Sequence, residues 1–137
     1  MVHSLQVDGN GSGLPVVALN DIGDEVYNAN GLRIVTKGLA KKDSVLGPSL
    51  VVYVENNSNQ GITVQARDES INGFMIDSVM SVDVAAGKKA IDTITFSESA
   101  MKENGITDIK TVELYFHIFE AESWKTIVDT EIIHLEF

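Results

Sequence analysis

The stretch 49-SLVVYVENNSNQGITVQA-66 contains two apolar runs on either side of a polar segment. β-Branched and aromatic residues fill the first run, and the second alternates apolar with polar residues. Both patterns are typical of β-strands, and the alternation indicates a strand with one buried face. The Asn, Ser and Gly residues of 55–61 tolerate left-handed backbone angles and hydrogen-bond to their own backbone. We therefore predict two strands joined by a hairpin turn at 55–61, with a ligand-binding loop as the less favoured alternative.

Turn-forming residues recur between short segments along the rest of the chain. The dipeptides at 30–31 and 72–73 are both Asn-Gly, which suits the two positive φ angles of a type I′ turn and predicts two more hairpins. Residues 86–89 and 120–123 mark two further breaks. The pattern predicts eight or nine strands, spaced as in an antiparallel sandwich or barrel. Helices do not alternate with these strands, which argues against a parallel α/β sheet.

One segment, 97-SESAMKENGI-106, departs from the two-residue period. Ser97 can cap a first helical turn, Glu98 lies where the helix dipole favours an anion, and Gly105 suits the position after a helix end. These residues predict one short helix at about 97–104. We expect its Met101 to anchor the helix onto the sandwich.

Length and composition favour a single domain with its own hydrophobic core, since 137 residues with 44% hydrophobic content need no metal or disulfide to fold. The segment 8-DGNGSG-13 has the composition of a linker. We therefore predict a flexible segment or linker at 1–14 and one β-sandwich domain at 15–137. No apolar run is long enough to cross a bilayer and no secretion signal is recognisable, so the segment as given is expected to be soluble, without membrane insertion.

The charge balance disfavours several classes of partner. Ten Lys and Arg residues against twenty Asp and Glu give a net charge of −10, which repels nucleic acid and anionic lipid. We expect no nucleic-acid partner. The chain has no cysteine, which excludes disulfides, thiolate metal ligands and thiol nucleophiles.

Catalytic and metal-binding patterns are not recognisable in the sequence. His3, His117 and His134 lack the spacing of zinc ligands, and no serine lies in a nucleophile-elbow motif. Carboxylates such as Asp68 and Glu69 are neighbours in sequence, which does not show that they face each other across a substrate. We interpret them as a solvated acidic surface, and we predict no catalytic residue, no metal and no cofactor. A calcium site in the polar loops stays a weak alternative.

The strand 112-VELYFHIFE-120 carries an unusual second face. Alternation places Val, Leu, Phe and Ile on the core side and Glu113, Tyr115, His117 and Phe119 on the other. With Trp124 just past the turn, Tyr115, His117 and Phe119 form a candidate ligand-binding patch for peptide or sugar rings. The favoured alternative is that the helix or the N-terminal segment covers this face. In the last strand, a bulge near Thr130 would reconcile two opposed apolar parities.

The pattern of strands and turns also resembles a known family. The segments that carry the resemblance are 30-NGLRIVTKGL-39, 50-LVVYVENNSNQGITVQ-65, 71-INGFM-75, 85-AAGKKA-90, 94-ITF-96, 103-ENGI-106, 112-VELYFHIFE-120 and 124-WKTIVDT-130. They are similar to immunoglobulin-like β-sandwich domains of unknown function, found in cell-envelope proteins and lipoproteins of Gram-positive anaerobes. The resemblance implies an immunoglobulin-like fold and an extracellular or cell-surface location for the full-length protein.

We therefore expect an all-β, immunoglobulin-like antiparallel sandwich that is not an enzyme. Its expected role is structural or in protein interaction, with a protein or a glycan at the cell surface as the partner. The first alternative is a carbohydrate- or peptide-binding module that uses the aromatic face. The second, disfavoured alternative is a hydrolase that uses scattered carboxylates.

Overall fold

A computed structural model describes residues 23–40 and 48–137. In these residues two antiparallel sheets pack against each other around one core, and a single short helix joins two of the strands. The elements in chain order are β1 (Asp24–Ala29), β2 (Leu32–Ala40), β3 (Ser49–Asn56), β4 (Ile62–Ile71), β5 (Phe74–Met75), β6 (Ser78–Val79), β7 (Ser81–Val84), β8 (Lys89–Phe96), α1 (Glu98–Glu103), β9 (Thr111–Glu120), β10 (Thr126–Asp129) and β11 (Ile133–Glu136).

Some of the sequence-based predictions fall outside the described residues. These are the linker at 1–14, the domain start at 15, and His3. They stay predictions.

The strand order is that of an immunoglobulin-like sandwich. The first sheet runs β1-β2-β3-β8-β6. In the second sheet β9 lies between β4 and the C-terminal strands β10 and β11, and the other edge of β4 pairs with β5 and β7. The strands β2-β3-β8-β6 opposite β4-β9-β10 reproduce the A-B-E-D and C-F-G sheets of constant-type immunoglobulin domains. The predicted all-β sandwich with one short helix is thus confirmed.

The described residues form eleven strands rather than eight or nine, because two predicted strands are subdivided. The run 74–84 visits both sheets: β5 and β7 pair with β4, whereas β6 pairs with β8. The run 124–137 divides at Thr130, whose N–H donates to the Phe116 carbonyl and whose Oγ1 accepts from the Phe116 N–H, both at 2.9 Å. The Thr130 side chain replaces a backbone acceptor there. The strand is therefore interrupted at Thr130, where the sequence predicted a bulge, and the register shift of β10 lies between Thr126 and Val128.

The segment 55–61 turns the chain as predicted, but it does not close a hairpin. Strand β3 belongs to the first sheet and β4 to the second, so this segment crosses from one sheet to the other. The hairpin prediction was wrong because turn-forming residues bend the chain equally well toward a neighbouring strand or toward the opposite sheet. Partner choice depends on contacts distant in sequence: β4 pairs with β9 and β3 with β8.

Asn56 holds this crossing together. Its side chain is fully buried, and its Nδ2 donates to the backbone carbonyls of Gln60 at 2.9 Å, Val84 at 2.9 Å and Ala85 at 3.3 Å. Its Oδ1 accepts from the backbone N–H of Ser58 at 2.9 Å and from the Ser58 hydroxyl at 2.6 Å. The Asn56 amide therefore connects the segment between β3 and β4 to the segment between β7 and β8. Both segments pass from one sheet to the other. The amide oxygen accepts its hydrogen bonds from Ser58 within the first of these segments.

The two Asn-Gly turns match their prediction. Asn30 and Gly31 have φ angles of 56° and 79°, and Asn72 and Gly73 have φ angles of 53° and 88°. They join β1 to β2 and β4 to β5, which pair as antiparallel neighbours. Positive φ at both central residues is the signature of the type I′ turn, whose twist matches that of the flanking strands.

Helix α1 is short and capped at both ends. The Ser97 hydroxyl accepts the Ala100 N–H at 3.2 Å. At the other end the Ile106 N–H donates to the Met101 carbonyl, and the N–H of Gly105, at φ 72°, donates to the carbonyl three residues earlier. This pair of bonds is a Schellman motif. Met101 and Ile106 are buried in the core, which confirms that Met101 anchors the helix.

The core lies between the inner faces of the two sheets. The side of β9 predicted to face the core is buried along its whole length, and Phe116 and Ile118 at its centre are fully buried. The inward face of β4 and the alternating residues of β3 complete the contact. The largest fully buried side chains are Phe96, Phe116, Leu32, Ile34, Leu50, Ile62, Ile71, Ile94, Leu114, Ile118, Val35 and Val52.

Candidate functional site

The outer face of the second sheet carries the predicted patch. On β9, Tyr115, His117 and Phe119 share the outward side. Across β4 they lie opposite Arg67, Gln65 and Thr63 in that order. The outward side chains of the two central strands, β4 and β9, thus combine aromatic rings with hydrogen-bonding groups.

Three of the four predicted residues form a continuous ring stack. The ring centroids of His117 and Phe119 are 5.3 Å apart with an interplanar angle of 38°, and those of Phe119 and Trp124 are 5.8 Å apart at 23°. Phe119 is only 7% exposed, whereas Trp124 is 75% exposed. The buried ring therefore supports the exposed one. We call His117, Phe119 and Trp124 the ring stack; Tyr115 lies next to it along β9.

The turn between β9 and β10 presents Trp124 in an unusual conformation. The Glu120 N–H donates to the Lys125 carbonyl, and the Trp124 N–H donates to the Glu120 carbonyl, both at 2.9 Å. Trp124 has φ of 66°, a left-handed conformation that suits glycine or asparagine and is rare for a bulky aromatic residue. Strained backbone of this kind concentrates at functional positions, where the surrounding structure maintains it.

Polar side chains next to the ring stack hydrogen-bond to one another. The Thr63 hydroxyl donates to the Asp83 carboxylate at 2.7 Å. Gln65 donates through Nε2 to the Ser81 hydroxyl at 3.3 Å and accepts from Arg67 Nε at 3.2 Å. These bonds connect β4 to β7 and fix a polar border along one side of the rings. Such a border around an apolar centre is typical of a recognition surface.

The helix does not cover this face. Met101 and Ile106 are buried in the core between the sheets, which places α1 at one end of the sandwich. There it adjoins the C-terminal end of β2, Pro48 and Phe137. The expectation that α1 covers the outer side of β9 was therefore wrong, because its apolar residues fill the space between the sheets. The other expected cover, the N-terminal segment, lies outside the described residues.

Both described histidines pair with carboxylates on neighbouring strands. His117 Nδ1 lies 2.5 Å from Asp129 Oδ1, which joins β9 to β10. His134 Nδ1 lies 2.8 Å from Glu113 Oε2 and its Nε2 lies 3.3 Å from Glu136 Oε2. The hydrogen bond to Glu113, followed by that to Glu136, raises the pKa of the His134 imidazole.

These pairs differ from the triad of a serine hydrolase in one group, as far as the described residues show. A histidine and an aspartate form the base and its orienting group in serine hydrolases, but that mechanism also needs a hydroxyl nucleophile bonded to the imidazole. Among the described residues, His117 hydrogen-bonds to Asp129 and to no hydroxyl group. Within residues 23–40 and 48–137, no three His, Asp or Glu side chains are grouped closely enough to hold a metal ion.

A hollow of about 510 Å³ opens beside the ring stack. Opposite the 113–115 segment of β9, β4 has a bulge between Arg67 and Ser70 on one side, and the chain leaves the sheet between β10 and β11 on the other. Because both neighbouring strands diverge at the same level, the sheet surface is depressed there. The lining includes Asp68, Glu113, Asp129, Tyr115, Met75 and Ile132, and we call this depression the acidic hollow.

The adjacent acids Asp68 and Glu69 have opposite environments. Asp68, at the bulge with φ of 55°, is exposed at the acidic hollow. Glu69 is buried, and within the described residues its Oε2 has no hydrogen-bond partner. The interpretation of both as solvated acids was thus wrong for Glu69. The bulge causes the difference, since it shifts the alternation of β4 by one residue.

The outer face of the first sheet is built differently. There Arg33 Nε lies 2.7 Å from Glu25 Oε2, and the Tyr53 hydroxyl donates to Glu55 at 2.8 Å. Hydrogen bonds from Arg33 and then Asn28 lower the pKa of Glu25, and those from the neighbouring Asn57 side chain and then Tyr53 lower that of Glu55. This is a network of surface ion pairs, whereas stacked rings occur on the second sheet.

The sequence located the rings but missed the hollow. Tyr115, His117, Phe119 and Trp124 follow from strand alternation and one turn. Nothing in the sequence marks the bulge at Asp68, and the exposed Met75 and Ile132 look there like ordinary strand residues.

Comparisons add no relative to this picture: no protein-family model and no curated protein matches the chain. The resemblance to cell-envelope immunoglobulin-like domains therefore stays a prediction. None of the described helices has the length and apolar character required to span a bilayer.

Proposed function

We propose that this chain is a non-catalytic immunoglobulin-like module that binds a protein partner through the outer face of its second sheet. The observation that carries the proposal is Trp124, which is 75% exposed, stacks on the buried Phe119 and occupies a left-handed backbone conformation. Tryptophan is enriched among the few residues that contribute most of the binding energy at protein interfaces. A ring fixed in advance also loses little conformational entropy on binding.

The cell surface is the proposed location, because the strand-and-turn pattern of the sequence resembles immunoglobulin-like domains of cell-envelope proteins. The net charge of −10 is compatible with a partner that carries basic residues.

Glycan binding through the same ring is the second candidate. The outer face of the Trp124 ring could stack on a sugar, and Gln65 and Arg67 could hydrogen-bond to its hydroxyl groups. However, the stack exposes one ring only, because Phe119 lies beneath Trp124 and His117 is half-buried. A protein partner is the better fit, since its larger surface can contact the exposed ring and the neighbouring hollow together.

Two screens test the proposal, one with a library of random dodecapeptides displayed on phage and one with an array of bacterial cell-wall glycans. Selected ligands are then measured by calorimetry against Trp124→Gly, which removes the ring while glycine adopts the observed φ without strain. We expect at least a tenfold loss of peptide affinity in this variant. Val79→Ala is the matched control, because Val79 is an exposed apolar residue in the first sheet. Peptides that bind Trp124→Gly as tightly as the parent would refute the proposed surface.

A further inference from the structure

We infer that the acidic hollow receives a lysine or arginine side chain of the partner protein. The inference rests on the proposed function, because the hollow and the ring stack share the outer face of the second sheet. It goes further in naming the chemistry of the bound residue and its position relative to Trp124.

Charge is the first argument. Three carboxylates, those of Asp68, Glu113 and Asp129, line the hollow, and its lining includes no lysine or arginine from residues 23–40 or 48–137. Glu113 and Asp129 each have a histidine partner on a neighbouring strand. Asp68 has no hydrogen-bond or ion-pair partner among the described residues. A bound cation would find one carboxylate without a partner and two whose ion-pair partner is a histidine.

The apolar walls are the second argument. Met75 is 68% exposed and Ile132 is 74% exposed, and they lie on opposite sides of the hollow, on β5 and between β10 and β11. Tyr115 lies between them on β9. An inorganic cation would gain nothing from these side chains. Lysine and arginine would, because they bury an aliphatic stem against apolar surface while the charged end reaches a carboxylate.

The geometry of β9 fixes the spacing of the partner residues. Tyr115, at the hollow, and Phe119, beneath Trp124, are four residues apart on one strand, which corresponds to roughly 13 Å at about 3.3 Å per residue. An extended partner segment lying along β9 has the same rise per residue. It would therefore place its basic residue about three to five positions from the residue that contacts Trp124.

The experiment uses the same dodecapeptide library and four proteins: the parent, Trp124→Gly, Asp68→Asn and Asp108→Asn. Asparagine tolerates the left-handed φ of residue 68, so Asp68→Asn removes the charge while keeping the bulge. Asp108 is an exposed acid at the end of the sandwich and provides the matched control for lost charge. We expect peptides selected on the parent to contain Lys or Arg about three to five positions from an aromatic or large apolar residue. Asp68→Asn should weaken their binding about ten- to a hundredfold, and Asp108→Asn should not.

The outcomes separate this inference from the proposed function. Peptides that need Trp124 but show no basic enrichment, or bind Asp68→Asn normally, overturn the inference and leave the proposed surface intact. Peptides that need Asp68 but not Trp124 support the hollow and overturn the role of the ring stack. Binding to glycans alone overturns the inference, and so does the absence of any ligand in both screens. Affinity that falls with added salt in the parent, and less so in Asp68→Asn, supports it.

Discussion

Replacing Asn56 offers the sharpest test of how the two sheets are joined. Its amide makes two donor hydrogen bonds at 2.9 Å to the Gln60 and Val84 carbonyls, and its oxygen accepts two from Ser58. Each such bond contributes about 0.5–1.5 kcal/mol net. Ser58 and Gln60 can recover part of this from water because neither is buried. We therefore expect Asn56→Ala to lower the free energy of unfolding by about 2–4 kcal/mol.

Asn56→Asp sharpens the same test. The substitution keeps the size and one acceptor oxygen but places a second oxygen against the Gln60 and Val84 carbonyls. Burial and these carbonyls both disfavour the charged form, so the pKa of the introduced carboxyl is raised in the folded state. A group whose pKa is higher in the folded than in the unfolded state stabilises the fold at pH values below its unfolded pKa. This stabilisation is lost as the pH rises through the folded pKa. Asn56→Asp should therefore be less stable than Asn56→Ala at about pH 7 and recover toward about pH 4.

Urea denaturation followed by circular dichroism measures both variants, with Asn57→Ala as the matched control. Asn57 is exposed and makes a surface hydrogen bond to Glu55, so its loss should cost less than about 1 kcal/mol. If Asn56→Ala unfolds within about 1 kcal/mol of the parent, the inter-sheet role of the amide is refuted. Equal stability of Asn56→Asp at both pH values would refute the buried, carbonyl-lined environment.

Three further predictions concern the core, a turn and a histidine. Phe116→Ala should cost about 3–5 kcal/mol in chemical denaturation, because Phe116 is fully buried; a loss under about 1 kcal/mol would overturn the assignment of the β9 faces. Gly31→Val should destabilise the β1–β2 hairpin, because φ of 79° strains a β-branched residue; unchanged stability would contradict the type I′ turn. His134, whose pKa is raised by Glu113, stabilises the fold below its unfolded pKa of about 6.5 and less as pH rises through its folded value. His134→Gln should therefore lose more stability relative to the parent at about pH 5.5 than at about pH 8.5, and an NMR titration of the imidazole measures the shift directly.

Much of the local structure follows from the sequence alone, because backbone preferences act over a few residues. Asn30-Gly31 and Asn72-Gly73 specify their turns since few other residues adopt two positive φ angles. Ser97 and Gly105 specify the ends of the helix in the same way. The alternation around Phe116 assigns the inner face of β9, because successive side chains of a strand point to opposite faces and the continuously apolar face packs into the core.

The tertiary structure alone decided how these elements are combined. Residues 55–61 could bend the chain either into a hairpin or across to the opposite sheet. Only the burial of whole sheets favours the connection between sheets. The bulge at Asp68 exposes one acid and buries its neighbour Glu69, although no local pattern marks it. The stacking of Trp124 on Phe119 and the opening of the acidic hollow depend on residues far apart in the chain. Such contacts form because the packed whole minimises exposed apolar surface, a quantity that no short segment contains by itself.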